Sequence, residues 1–131
     1  MQRMIAAILV AAALVAGGVG QAAAAARDYV FETTTATVLQ GTEAIISVRL
    51  LNKATGKPVT DAVIFQQRLD MSPENMAEMT GTVTPLPASE PGIYRFKADL
   101  SMAGRWALKL AAKVPGEPET VRGEVVVAAT K

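Results

Sequence analysis

The chain has 131 residues, half of them hydrophobic, with a formal net charge of +1, no cysteine and no histidine. This composition excludes disulfide staples and removes the usual general base and the commonest ligand of zinc and Cu(II). It also leaves no basic excess to attract nucleic acid, and the aromatics are too few for stacking on single strands.

In chain order, Arg3 precedes an apolar run from Met4 to Val19. Gly17, Gly18 and Gly20 break that run, and Ala22 to Ala26 offer Ala-x-Ala cleavage sites. That is the order of a secretory signal peptide. The run is short for a membrane span, which needs about 20 apolar residues; an uncleaved N-terminal anchor is the alternative. No cysteine follows the run, so a lipid-modified N-terminus is excluded. Residues 1–26 are therefore read as a signal peptide and 27–131 as one periplasmic or otherwise exported domain. Without Arg3, 12 basic residues face 12 acids. With no disulfide, a core alone must hold the domain, which a chain of this length can build.

Beyond Tyr29 the pattern turns to period-two alternation. Asp28 to Val38 reads as a first strand, rich in Thr, Val and aromatics. Gln40-Gly41 is a turn, and Glu43 to Leu51 follows with Ala44, Ile46, Val48 and Leu50 on one face. Asn52 to Pro58 is a loop. In the region Val59 to Met71, the residues Val63, Phe65, Leu69 and Met71 share one parity, Gln66 and Arg68 the other.

A polar break follows, Asp70 to Gly81, in which Ser72 to Met79 has the length for one helical turn. Thr80 to Thr84 is short and β-prone, and Pro85 and Pro87 limit it to an edge strand or a loop. After Glu90-Pro91-Gly92, Tyr94, Phe96, Ala98 and Leu100 alternate with Arg95, Lys97 and Asp99. Trp106, Leu108 and Leu110 alternate with Arg105, Lys109 and Lys113. Pro115-Gly116 turns into a last strand marked by Val121, Val125 and Val127. Six or seven short strands with regular turns and one central tryptophan predict an all-β fold. The reading is an immunoglobulin-like antiparallel β-sandwich of about seven strands, with a small closed barrel as the alternative. The clean alternation favours antiparallel pairing.

Thr55-Gly56-Lys57-Pro58-Val59-Thr60-Asp61-Ala62-Val63 is similar to the loop-and-strand opening of exported bacterial immunoglobulin-like modules. Pro91-Gly92-Ile93-Tyr94, with Asp99-Leu100-Ser101-Met102-Ala103-Gly104-Arg105-Trp106, resembles the YtkA-like / FixH-like family of periplasmic domains. The resemblance covers about Glu43 to Val127, and Met-Ala-Gly-Arg-Trp is its most specific piece. It implies a sandwich outside the cytoplasm that accompanies copper handling, heavy-metal efflux or oxidase maturation. Many relatives carry a methionine- or histidine-containing segment where this chain has Met71, Met76 and Met79. The histidine is missing here, which removes support for Cu(II).

The chemistry available is that of thioethers. They are soft, neutral donors that select Cu(I) or Ag(I) and survive an oxidising compartment. Met76 and Met79 are spaced i, i+3, so a helical turn would place both sulfurs on one side. Met102 would join Met71, Met76 and Met79 if the two breaks lie at one end of the sandwich. Packing is the competing use of each methionine.

Trp106 reads as core, the usual place of the central tryptophan of such a sandwich, with its ring face covering a cation as the alternative. Asp70, Glu74 and Glu78 fall short of a Ca(II) loop and read as a solvated rim. No Gly-x-Ser-x-Gly elbow, paired carboxylates or phosphate loop appears, so the chain is read as no enzyme. Two functions remain. One is an accessory protein passing Cu(I) or Ag(I) to a metal-efflux pump or an oxidase-assembly protein. The other is a metal-free module that docks a membrane complex through an edge strand or end loops.

Overall fold

Residues 28–88 and 90–131 are described by this computed structural model, and the expected signal peptide lies outside them. In chain order the strands are β1 (Tyr29–Thr33), β2 (Thr37–Leu39), β3 (Gly41–Asn52), β4 (Lys57–Pro58), β5 (Val63–Met71), β6 (Met76–Gly81), β7 (Val83–Leu86), β8 (Ile93–Leu100), β9 (Gly104–Lys113) and β10 (Val121–Thr130). One sheet runs β1-β3-β8-β7, with β4 beside β3. The other runs β2-β10-β9-β5-β6. Two sheets with separate edges make a sandwich and not a closed barrel. The partition of β1, β3, β7 and β8 against β5, β9 and β10 is that of an immunoglobulin-like domain.

The alternating residues build the core as read from the sequence. Ile46, Val48 and Leu50 of β3 and Phe96, Ala98 and Leu100 of β8 face Leu69, Trp106, Leu108, Leu110, Val125 and Val127 of the other sheet, all buried. Fully burying one such large side chain contributes about 1.5–3 kcal/mol, the kind of term that must replace disulfides here.

Three departures from the sequence reading have local causes. The first strand is two. The Thr33 hydroxyl donates to Thr35 O at 2.8 Å and accepts from Thr35 N at 3.0 Å, giving the backbone a side-chain partner in place of a ladder. The chain then leaves β3 and joins β10, pairing Thr37 with Ala128 in parallel, an exception to the antiparallel expectation. In β5 the register slips between Ile64 and Gln66, so parity changes within the strand. Val63 and Phe65 are consequently 61% and 50% exposed while Leu69 and Met71 are buried.

The third departure is the crossing from β6 to β7. Gly81 sits so close to the Asp99 carbonyl that a Cβ there would collide with it, and Asp99 N donates to Thr82 O at 2.9 Å. The short segment expected over Thr80 to Thr84 is therefore the place where the chain passes between sheets. Pro85 then lies on the edge strand β7, as the edge placement required.

Candidate functional site

The break after β5 is a single 3-10 turn, Ser72–Glu74, not a helix reaching Met79. Pro73 suits the start of such a turn. Asn75 ends it with φ 60°, a left-handed position that asparagine tolerates. From Met76 the chain is strand, so the helical face shared by Met76 and Met79 does not form. The pairing instead sets Met71 directly opposite Met76, while Asp70 faces Thr80. Ala77, Glu78 and Met79 fall in the slip between those pairs, and Arg68 Nη2 fixes them by donating to Ala77 O at 3.1 Å.

The break before β9 lies against this turn, as the two-breaks reading required. Arg105 N and Nε both donate to Glu74 Oε2, at 3.0 and 3.2 Å, and its Nη2 donates to Pro73 O at 2.9 Å. Those hydrogen bonds from Arg105 hold the Glu74 carboxyl below its ordinary pKa. Gly104 has φ +134°, and a Cβ there would stand 2.9 Å from the Met71 methyl. Met102 is two residues away. Its carbonyl accepts the Trp106 indole N–H at 3.0 Å, which fixes the turn that presents it.

The four methionines are thus in different states. Met71 is buried, Met76 is half-buried against the core, and Met79 and Met102 are 37% and 40% exposed. Trp106 is 1% exposed and belongs to the core, as the central tryptophan of a sandwich is expected to, and its ring offers no face from solvent to a cation.

The acids also differ from the expected rim. Asp70 is completely buried, hydrogen-bonded to Ser72 N at 3.0 Å, Arg68 Nε at 3.0 Å and Lys109 Nζ at 3.2 Å. Burial alone would raise its pKa. The bonds from Ser72, Arg68 and Lys109 outweigh that and hold the carboxyl far below the usual carboxylate range. Its parity with Arg68 was the available sequence signal. The long-range partner, Lys109, was not legible. Of the three acids only Glu78 is exposed and without such a bond among the described residues. Asp70 and Glu74 are occupied by cations and poorly suited to a hard metal. Among the described residues no three His, Cys, Asp or Glu side chains gather as ligands.

The profile of the YtkA-like family matches residues 23–111. The chain belongs to the YtkA-like family. The match names that family alone and does not extend to the FixH-like side of the resemblance. No curated protein matches the YtkA-like chain.

Among solved structures, it is similar to the Lin-41 filamin domain at 21% identity. That alignment covers 72% of this chain and 89% of that one, with a TM-score of 0.44. The ZirS C-terminal domain aligns at 15% identity over 79% of this chain and 66% of that one, with a TM-score of 0.45. A conjugative transposon lipoprotein from Bacteroides eggerthii aligns at 14% identity over 76% and 96%, with a TM-score of 0.34.

Proposed function

We propose that this YtkA-like domain is an exported, non-enzymatic accessory protein that carries Cu(I) or Ag(I) on methionine thioethers. The observation that carries the reading is the convergence of two breaks, far apart in sequence, at one end of the sandwich. Met71 faces Met76 across β5 and β6, and the Met71 methyl reaches Gly104 beside Met102. With no cysteine and no histidine in the chain, thioethers are its only soft side-chain donors. Met71 is the buried donor, Met76 the half-buried one opposite it and Met102 an exposed one, with Met79, also exposed, in the slip of β6.

A neutral-donor site of this kind suits transfer of the ion, and the leader read at residues 1–26 would put that transfer outside the cytoplasm. The recipient would be a metal-efflux pump or an oxidase-assembly protein.

The test is an anaerobic Cu(I) competition titration on protein beginning at Arg27, beside a Met76→Ala, Met102→Ala double variant. One equivalent bound by the parent and lost in a still-folded double variant is the expected result. Met79→Ala should change the affinity far less. Absence of binding above the competitor background in the parent would refute the proposal.

A further inference from the structure

The strand β5 pairs with β9 from Val63 to Asp70 but with β6 only at Leu69, Asp70 and Met71. Among the described residues its first half therefore has no strand paired along its other edge. Natural edges are usually blunted by lysine, proline or a bulge. Here the bulge turns out Phe65, 50% exposed, next to Val63 at 61%.

A groove of about 650 Å³ begins at this edge and crosses toward β10. Gln66, Arg68, Lys109 and Arg122 line it around Ala111, and none of its lining residues is a carboxylate. Register explains the cluster. Arg122 and Gln66 both stand opposite Ala111, and Lys109 stands opposite Arg68.

Lys113, opposite Val63, continues the positive row. Acids adjoin it too. Asp70 is buried and already shared by Arg68 and Lys109, and Glu124 stands opposite Lys109. Arg122 has only a 3.4 Å bond to Gln66 Oε1. Gln67, also in the lining, has its Oε1 buried without a hydrogen-bond partner among the described residues. Basic and acidic residues balance over the domain as a whole, so this local excess of cations gives the face a sign of its own.

We infer that this edge receives an extended acidic segment of a partner protein as an added strand. The segment's backbone pairs with the open side of Val63 to Gln67. Its apolar side chains cover Phe65 and Val63, and its carboxylates meet Arg122 and its cationic neighbours. Strand addition supplies affinity through main-chain bonds, and the flanking side chains supply the choice of partner. This site lies along β5 away from Met76 and Met102, so it stands whether or not metal binds there.

The probe is a fluorescein-labelled peptide of alternating Glu and Val, titrated by anisotropy, with the matching Lys-Val peptide as control. The acidic peptide should bind and weaken as salt is raised, and the amides of residues 63–67 should gain hydrogen-exchange protection. Arg122→Glu, an exposed change, should weaken it by roughly threefold to tenfold, and Phe65→Ser by a similar factor. Equal binding of both peptides, insensitivity to both variants, or protection mapping away from β5 would overturn the inference. So would binding to phosphatidylglycerol vesicles with the same Arg122 dependence and no binding of the acidic peptide.

Discussion

Replacing Asp70 by Asn tests whether the buried carboxylate is a structural anchor of the methionine turn. The change keeps the side chain's size and an acceptor for Ser72 N, but removes the charge and puts an amide donor where Oδ2 accepts from Arg68 and Lys109. Breaking a fully buried ion pair costs about 3–5 kcal/mol. Arg68 and Lys109 have side chains 55% and 41% exposed, so both rehydrate once freed, and the loss is smaller. About 2 kcal/mol is the expected cost, in line with hydrogen bonds to a charged group. For a domain of this size that lowers Tm by roughly 10 °C.

The pH dependence has a fixed sign. The folded carboxyl has a pKa depressed below its unfolded value, which is about 3.9. Its stabilisation is therefore complete above the unfolded pKa and is lost as pH falls toward the folded one. Thermal melts of parent and Asp70→Asn followed by near-UV circular dichroism should show a wide gap at neutral pH that narrows in strong acid. A variant melting within about 1 °C of the parent at pH 7, or a gap undiminished in strong acid, would refute the reasoning.

Gly81→Ala would drive a methyl into the Asp99 carbonyl and to 2.8 Å from Leu69 Cδ2. A backbone atom gives way poorly, so a loss of about 3 kcal/mol or more is expected by urea titration. Gly41→Ala, with nothing within 4 Å of the new atom, should stay within about 0.5 kcal/mol in the same assay. Tyr94→Phe removes an OH that donates to Val59 O at 2.8 Å and accepts from Ala62 N at 3.1 Å. It should cost about 1–3 kcal/mol, and the amide of Ala62 should lose hydrogen-exchange protection.

Much of the sandwich was legible because alternation reports which face of a strand is buried. The runs Ala44 to Leu50 and Tyr94 to Leu100 were read with the correct parity for that reason. Alternation carries no warning of an inserted residue, so the slip at Phe65 inverted the reading of Val63 and Phe65. It is equally blind to partners, which is why Asp70 was placed on a rim while Lys109 waited nearly forty residues away. The methionine end was legible in composition and in its two breaks. Its geometry was not, since the i, i+3 spacing of Met76 and Met79 has meaning only on a helix. The 3-10 turn and the pairing of Met71 with Met76 dissolved that relation and made another.

The switch of the N-terminal segment from β3 to β10 also governs when the domain can be finished. Strand β2 has its sheet partner at the far end of the chain, Thr37 lying beside Ala128. A polypeptide delivered N-terminus first thus carries β2 unpaired until β10 has emerged. Closing so long a loop late is slow compared with pairing neighbours. The second sheet is therefore closed along β2 only once β10 is in place.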